Sequence, residues 1–173
     1  LKNLDKNDAD YFINVQKAIE DHGIEASVCK VVGSEALAFN VDEGVQIFGG
    51  AGFIEDYEMA GMYRDERINR IFEGTNEINR LIIGGYTLKK AILEDIPIRD
   101  LISDREYNWM PETNIPYNDI LKKESEVIEF CRSSMAYTLN ELILIYGQDF
   151  KNKQWLLEPF ANIIISLCII DTG

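Results

Sequence analysis

Apolar residues return at helical spacing along almost the whole chain, and no segment sustains the period-of-two alternation of a strand. Between Ala9 and His22, the residues Tyr11, Phe12, Val15 and Ala18 share one helix face, with Asn7 or Asp8 placed to cap it and Gly23 to end it. A second helix is predicted over 25–47. The small residues Gly33, Ser34, Ala36 and Ala38 at its middle let neighbouring helices approach on several sides. Gly49, Gly50 and Gly52 then break the chain. A short helix over 56–67, a turn at Glu73-Gly74-Thr75 and a helix reaching Glu94 follow, with Thr75 or Asn76 as its cap. Pro97 disfavours helix in the residue before it, and the proline-bearing stretch 97–117 reads as a linker. Two more helices are predicted over 118–146 and 153–170. The expected class is all-α: a helical domain over 1–96, a linker over 97–117 and a further helical region over 118–173.

Composition narrows the partners. The 173 residues are 46% apolar and 27% charged, which is globular rather than disordered. The formal charge is -13 with no Lys/Arg cluster, which argues against nucleic-acid binding. Cys29, Cys131 and Cys168 are widely spaced, offering neither a zinc pattern nor a disulfide framework. They read as buried thiols in a reducing compartment: cytoplasmic, or the mitochondrial matrix in a eukaryote. The single His22 reads as a surface residue that no catalytic triad includes, and no metal cluster stands out. The opening LKNLDKNDAD has no apolar leader and no initiator Met, and IIISLCIIDTG stops inside an apolar helical pattern. Both ends therefore read as cuts in a longer polypeptide. The longest apolar stretch, Trp155 to Ile170, carries Glu158 and Asn162 and falls short of the roughly 20 residues of a membrane span. It is expected to be a core helix; a helix docking on a membrane surface or a partner is the alternative.

The stretch RIFEGTNEINRL, Arg70 to Leu81, poses the functional question. Ile71, Phe72, Ile78 and Leu81 look like core residues, yet Glu73 follows the apolar pair and Gly74 interrupts the helix. A bland surface turn is one reading. A catalytic base is the other: apolar neighbours desolvate a carboxylate, raise its pKa and make it a better proton acceptor. Gly74 lets backbone approach a ligand, and Thr75 offers a hydroxyl at a helix N-terminus, where anions are favoured. Upstream, QIFGGAGF (Gln46 to Phe53) is either a glycine helix end or a set of backbone amides exposed to a phosphate. With no preceding strand it is not the dinucleotide fingerprint. The charged cluster of Arg64, Asp65 and Arg67 reads as a solvated or salt-bridged face.

Together these weak motifs become specific. QIFGGAGF, then YRDERI, then RIFEGTNEINRL, with Gln46 and Glu73 standing 27 positions apart, resembles the C-terminal helical domain of the acyl-CoA dehydrogenases. FEGTNEINRL, together with a chain that continues beyond residue 97, resembles the very-long-chain type. The resemblance implies the C-terminal part of a four-helix-bundle domain. It implies Glu73 as the base that removes a proton beside the thioester carbonyl, with Glu73 and Gly74 against the substrate. Gln46, Gly49 and Gly50 correspond to a segment facing the diphosphate and adenine side of FAD, usually on a neighbouring subunit. Thr75 corresponds to an FAD contact within its own subunit, and Glu77 stands where the family often has Gln or Asp near that cofactor. Some relatives contact CoA through an Arg in the following helix; here the chain reads Ile83-Gly84-Gly85-Tyr86, and that contact is not expected. The implied parent carries out α,β-dehydrogenation of long-chain acyl-CoA in fatty-acid β-oxidation. Electron-transferring flavoprotein is its implied acceptor, a dimer or tetramer its implied assembly, and the helical extension a peripheral membrane contact. The fragment alone, lacking the domains that complete the flavin site and acyl pocket, is expected to be inactive. A non-catalytic helical interaction module and an acyl-CoA oxidase are the alternatives; flavin colour separates the first and oxygen consumption the second.

Overall fold

The computed structural model of the chain describes residues 10–103 and 120–172. Its helices are α1 (Tyr11–Asp21), α2 (Gly23–Phe48), α3 (Gly50–Phe53), α4 (Glu58–Arg67), α5 (Asn76–Ile92), α6 (Ile98–Ser103), α7 (Ile120–Tyr146) and α8 (Gln154–Thr172). Short 3-10 turns cover Ile68–Arg70 and Gly147–Asn152, and no strand occurs among the described residues. The all-α class is as expected. The chain divides into two compact units, Leu1–Ile83 and Gly84–Gly173, and the division falls inside α5.

In the first unit α2 is the spine, with α1, α3, α4 and the first 3-10 turn against it. Its buried residues are Ser27, Val28, Val31, Ser34 and Val41, so part of its inner face is polar. At Gly44 a Cβ would stand 2.9 Å from the Met59 sulfur, so the missing side chain makes room for α4. Gly49 has φ +59°, and its N–H donates to the carbonyls of Val45 and Gln46, closing α2. At Gly52 a Cβ would be 2.8 Å from the Val45 carbonyl; only a glycine lets α3 fold back this tightly. Gly23 was expected to end a helix. Instead it begins α2, since Ala26 N–H already donates to the His22 carbonyl. The α1 face buries nothing completely, and Phe12 is exposed. The cap expected at Asn7 or Asp8 lies outside the described residues.

The core of the second unit gathers Phe150 and Phe160, whose rings meet edge-on at 6.2 Å, with Ala136, Leu139, Leu157 and Ala161. The apolar stretch seen in the sequence is α8. It buries Leu157, Phe160, Ala161, Ile164 and Ile165 and leaves Trp155, Ile163, Ile169 and Ile170 exposed. By length and composition alone it could also cross a membrane. At Gly84 a Cβ would stand 3.1 Å from the Leu157 carbonyl and Cδ2, so this α5 glycine lets the two helices meet. The segment read as a linker opens with α6, which starts when Leu101 N–H donates to the Pro97 carbonyl. Residues 104–117 of that segment lie outside the described residues. No disulfide joins the cysteines among the described residues, but Cys29 is exposed and Cys131 and Cys168 half-buried, so none is the buried thiol expected.

Candidate active site at the Glu73 turn

After α4 and its 3-10 turn, the N–H groups of Ile71 and Phe72 both donate to the Ile68 carbonyl. Two consecutive residues then enter the left-handed region: Glu73 at φ +55° and Gly74 at φ +80°. A glycine adopts this backbone freely; a residue with a Cβ pays about 1–2 kcal/mol. The chain reverses through this pair into α5. Thr75 caps that helix, its Oγ1 accepting from Ile78 N–H at 3.2 Å. Glu77 turns its carboxylate to the same helix start. Its pKa lies below the usual carboxylate range, because its own backbone N–H and then the Thr75 hydroxyl donate to the charged form. The positive end of α5 therefore already carries an anion of its own.

The turn is tied down to α2 by polar groups. Lys30 Nζ donates to the Gly74 carbonyl at 2.8 Å and to Asn76 Oδ1 at 2.6 Å. Asn79 Nδ2 donates to the Gly74 carbonyl at 2.8 Å and the Thr75 carbonyl at 3.1 Å. Asn76 Nδ2 donates to Ser34 Oγ at 2.9 Å and Glu35 Oε1 at 3.1 Å. Arg80 grips Glu35 with both terminal nitrogens, at 2.8 and 2.9 Å. That bidentate fork, with help from Asn76, holds the Glu35 carboxyl below its ordinary range. The inward face of α5 runs Asn76, Asn79, Ile83, Thr87, at i, i+3, i+7 and i+11, and all four are buried.

This polar register overturns part of the sequence reading. Because Asn76 and Asn79 take the inward face, Ile78 is turned outward and is 49% exposed. Ile71 and Phe72 are 47% and 45% exposed, and Leu81 is half-buried, so these are not core residues. Glu73 is itself exposed, and neither its carboxylate nor its N–H meets a hydrogen-bond partner among the described residues. The apolar cover expected around the carboxylate does not come from the described residues: Glu73 is an open acid, and Ile71 and Phe72 just before it in the chain are exposed too.

The other expected residues fall in two places. Thr75 and Glu77 line a concavity of about 500 Å³ together with Glu35, Tyr63, Glu66, Arg67, Arg70 and Ile71. Gln46, Gly49 and Gly50 do not line it; they are exposed at the far end of α2. A second concavity of about 1000 Å³, walled by Val45, Phe53, Ile54, Ala60 and Ile68, lies between α2, α3 and α4. The charged cluster of Arg64, Asp65 and Arg67 is exposed, as the solvated or salt-bridged face expected. Arg64 pairs with Glu55 at 2.6 Å on the surface, whereas Glu66 is buried against Arg70, with Nε and Oε1 3.0 Å apart. The i, i+4 spacing of Glu66 and Arg70 was the available signal. Lys30 had no signal beyond its place on α2.

Residues 9–86 match the family model described as "Acyl-CoA dehydrogenase, C-terminal domain". Over 162 residues, 92% of this chain and 27% of the relative, the sequence is 37% identical to a "Probable acyl-CoA dehydrogenase" of Bacillus subtilis. The rat protein "Very long-chain specific acyl-CoA dehydrogenase, mitochondrial" is 46% identical over 70 residues, which is 40% of this chain and 11% of that protein. The very-long-chain likeness is thus confined to part of the chain, whereas the bacterial likeness also runs through the second unit. The fold is similar, with a TM-score of 0.69 and 38% identity, to a crystal structure of an acyl-CoA dehydrogenase complexed with FAD from Bacillus anthracis. That match covers 83% of this chain and 24% of the other. The chain therefore spans about a quarter of the Bacillus proteins it resembles.

Proposed function

With residues 9–86 a C-terminal domain of the acyl-CoA dehydrogenase family, we propose that the complete protein dehydrogenates fatty acyl-CoA thioesters using FAD. Glu73 takes a proton from the carbon next to the thioester carbonyl. Negative charge then develops on the carbonyl oxygen, and the Glu73 backbone N–H donates to it. A bound FAD would supply the hydride acceptor for the second hydrogen. A carbon–carbon double bond forms as the two hydrogens leave, so no free carbanion accumulates. The observation that supports this reading most is the Glu73-Gly74 pair: a left-handed turn, fastened to α2 through its backbone, that presents a carboxylate with no hydrogen-bond partner among the described residues.

The residues fit FAD in two different ways. Nothing stands within 4 Å of where a Cβ would project at Gly49 or Gly50, so a diphosphate has room to approach the backbone there, although the Gly49 N–H is already spent on closing α2. We assign Gln46, Gly49 and Gly50 to the diphosphate and adenine side of a cofactor held by a neighbouring subunit, which makes the protein a homo-oligomer. Thr75 and Glu77 serve FAD of their own subunit. An ionised Glu77 repels phosphate and accepts from a hydroxyl or ring N–H, so it suits the part of FAD away from the diphosphate. Gly74 lies with Glu73 against the thioester.

The likeness of FEGTNEINRL to the very-long-chain type supports long acyl chains, and electron-transferring flavoprotein as acceptor fits the same reading. The setting is fatty-acid β-oxidation in a reducing compartment. The purified complete protein should be yellow. It should lose its oxidised-flavin absorbance when mixed without oxygen with acyl-CoAs of graded length, fastest with long chains. A colourless protein contradicts the reading. Rapid oxygen consumption with substrate would instead make it an oxidase.

A further inference from the structure

We propose that Lys30 is a positioning residue for Glu73, acting through the backbone of the turn rather than by touching the substrate. This rests on the assignment of Glu73 as the base. Glu73 has a Cβ and still holds φ +55°, a conformation that persists where surrounding groups enforce it. The enforcing contacts converge on one atom. The Gly74 carbonyl accepts Lys30 Nζ at 2.8 Å and Asn79 Nδ2 at 2.8 Å. Of these two donors, Asn79 belongs to α5 itself and moves with the turn. Lys30 comes from α2, so it fastens the Glu73-Gly74 pair to the frame of the unit. Its second bond, to Asn76 Oδ1 at 2.6 Å, orients the amide whose nitrogen reaches Ser34 and Glu35. A charged donor makes the stronger kind of hydrogen bond. The peptide between Gly74 and Thr75 is planar, so an ammonium on its carbonyl sends the Thr75 N–H the opposite way. One side chain thereby sets the direction from which Glu73 leaves the backbone.

The test uses the complete protein with Lys30→Met, which keeps the apolar stem and removes the ammonium. Two readouts isolate the base. The first is anaerobic flavin bleaching by an acyl-CoA. The second is exchange of the α-protons of a 3-oxa-acyl-CoA with D2O, read by NMR, because that analogue has no hydride to lose. Misplacing a catalytic group by about 1 Å costs on the order of 100-fold. Lys30→Met is therefore expected to slow both processes about 10- to 100-fold, with flavin content and binding of the 3-oxa analogue unchanged. Wild-type exchange and bleaching in Lys30→Met would overturn the proposal. If Lys30→Met loses its flavin, Lys30→Gln decides: slowed exchange with flavin retained supports the proposal, and a normal rate overturns it. Loss of flavin in both variants also overturns it, because Lys30 is then structural. Glu73→Gln runs alongside. If Glu73→Gln exchanges α-protons normally, the assignment of the base has failed; if only Lys30→Met is normal, the positioning role alone has failed.

Discussion

Glu77 and Thr75 show how one hydroxyl can serve two charges. The Thr75 side chain accepts from the Ile78 N–H and donates to the Glu77 carboxylate. Thr75→Ala is expected to cost about 1 kcal/mol at pH 7, the usual loss for an N-cap. Part of that cost depends on pH. Glu77 has a lowered folded-state pKa, so its contribution is full above the unfolded value of about 4.3 and fades as pH falls through the lower folded value. Urea unfolding at pH 7 and near pH 3 should show the gap between wild type and Thr75→Ala narrowing in acid. A gap independent of pH would mean the hydroxyl serves only the helix cap. The cap was legible from residue type and spacing. The exposure of Ile71, Phe72 and Ile78 was not. An apolar pair beside a carboxylate reads as core when only neighbours in sequence are considered. The register of α5 is set instead by Asn76 and Asn79, two polar residues that hydrophobic patterning passes over.

Among the elements, the glycines explain most of the architecture. Gly49 supplies a left-handed helix end, Gly52 a close return of α3, and Gly84 the approach of α8 to α5. The first two were visible as a break. The third was visible only as a departure from a pattern that places an arginine nearby; its physical reason is the 3.1 Å that a Cβ would leave to Leu157. The second unit rests on the Phe150–Phe160 pair between the 3-10 turn and α8. Phe160→Ala removes a fully enclosed ring and is expected to cost about 3–5 kcal/mol. The loss should appear as a lower denaturation midpoint monitored by circular dichroism. A change below about 1 kcal/mol would mean that the site collapses without loss, outside the usual range for a buried aromatic. That α8 is one continuous apolar helix followed from its spacing. Which of its faces is buried did not, because apolar residues lie on both.

As a whole molecule, this chain carries the proposed base and the residues proposed to face FAD, but leaves the acid open. Glu73 is exposed, and the Gln46-Gly49-Gly50 segment does not share the concavity of Thr75 and Glu77. The chain spans about a quarter of its Bacillus relatives, and the proposed function needs the complete protein to close this site. The 173 residues alone are therefore expected to purify without bound FAD and to leave added acyl-CoA unchanged. Substantial dehydrogenation by this chain would show that the remaining domains are dispensable. The likeness to acyl-CoA dehydrogenases was legible because three short motifs keep their order and spacing. The turn's anchoring was not, since Lys30 lies 44 residues from the carbonyl it holds.

The central claim is that Glu73 removes the proton, and Glu73→Gln in the complete protein tests it most directly. Gln keeps the shape and loses the basic oxygen. The account predicts that the variant retains its flavin and its affinity for acyl-CoA, yet no longer bleaches when substrate is added without oxygen. Bleaching at the wild-type rate with flavin bound would contradict the account and leave Glu73-Gly74-Thr75 a structural turn.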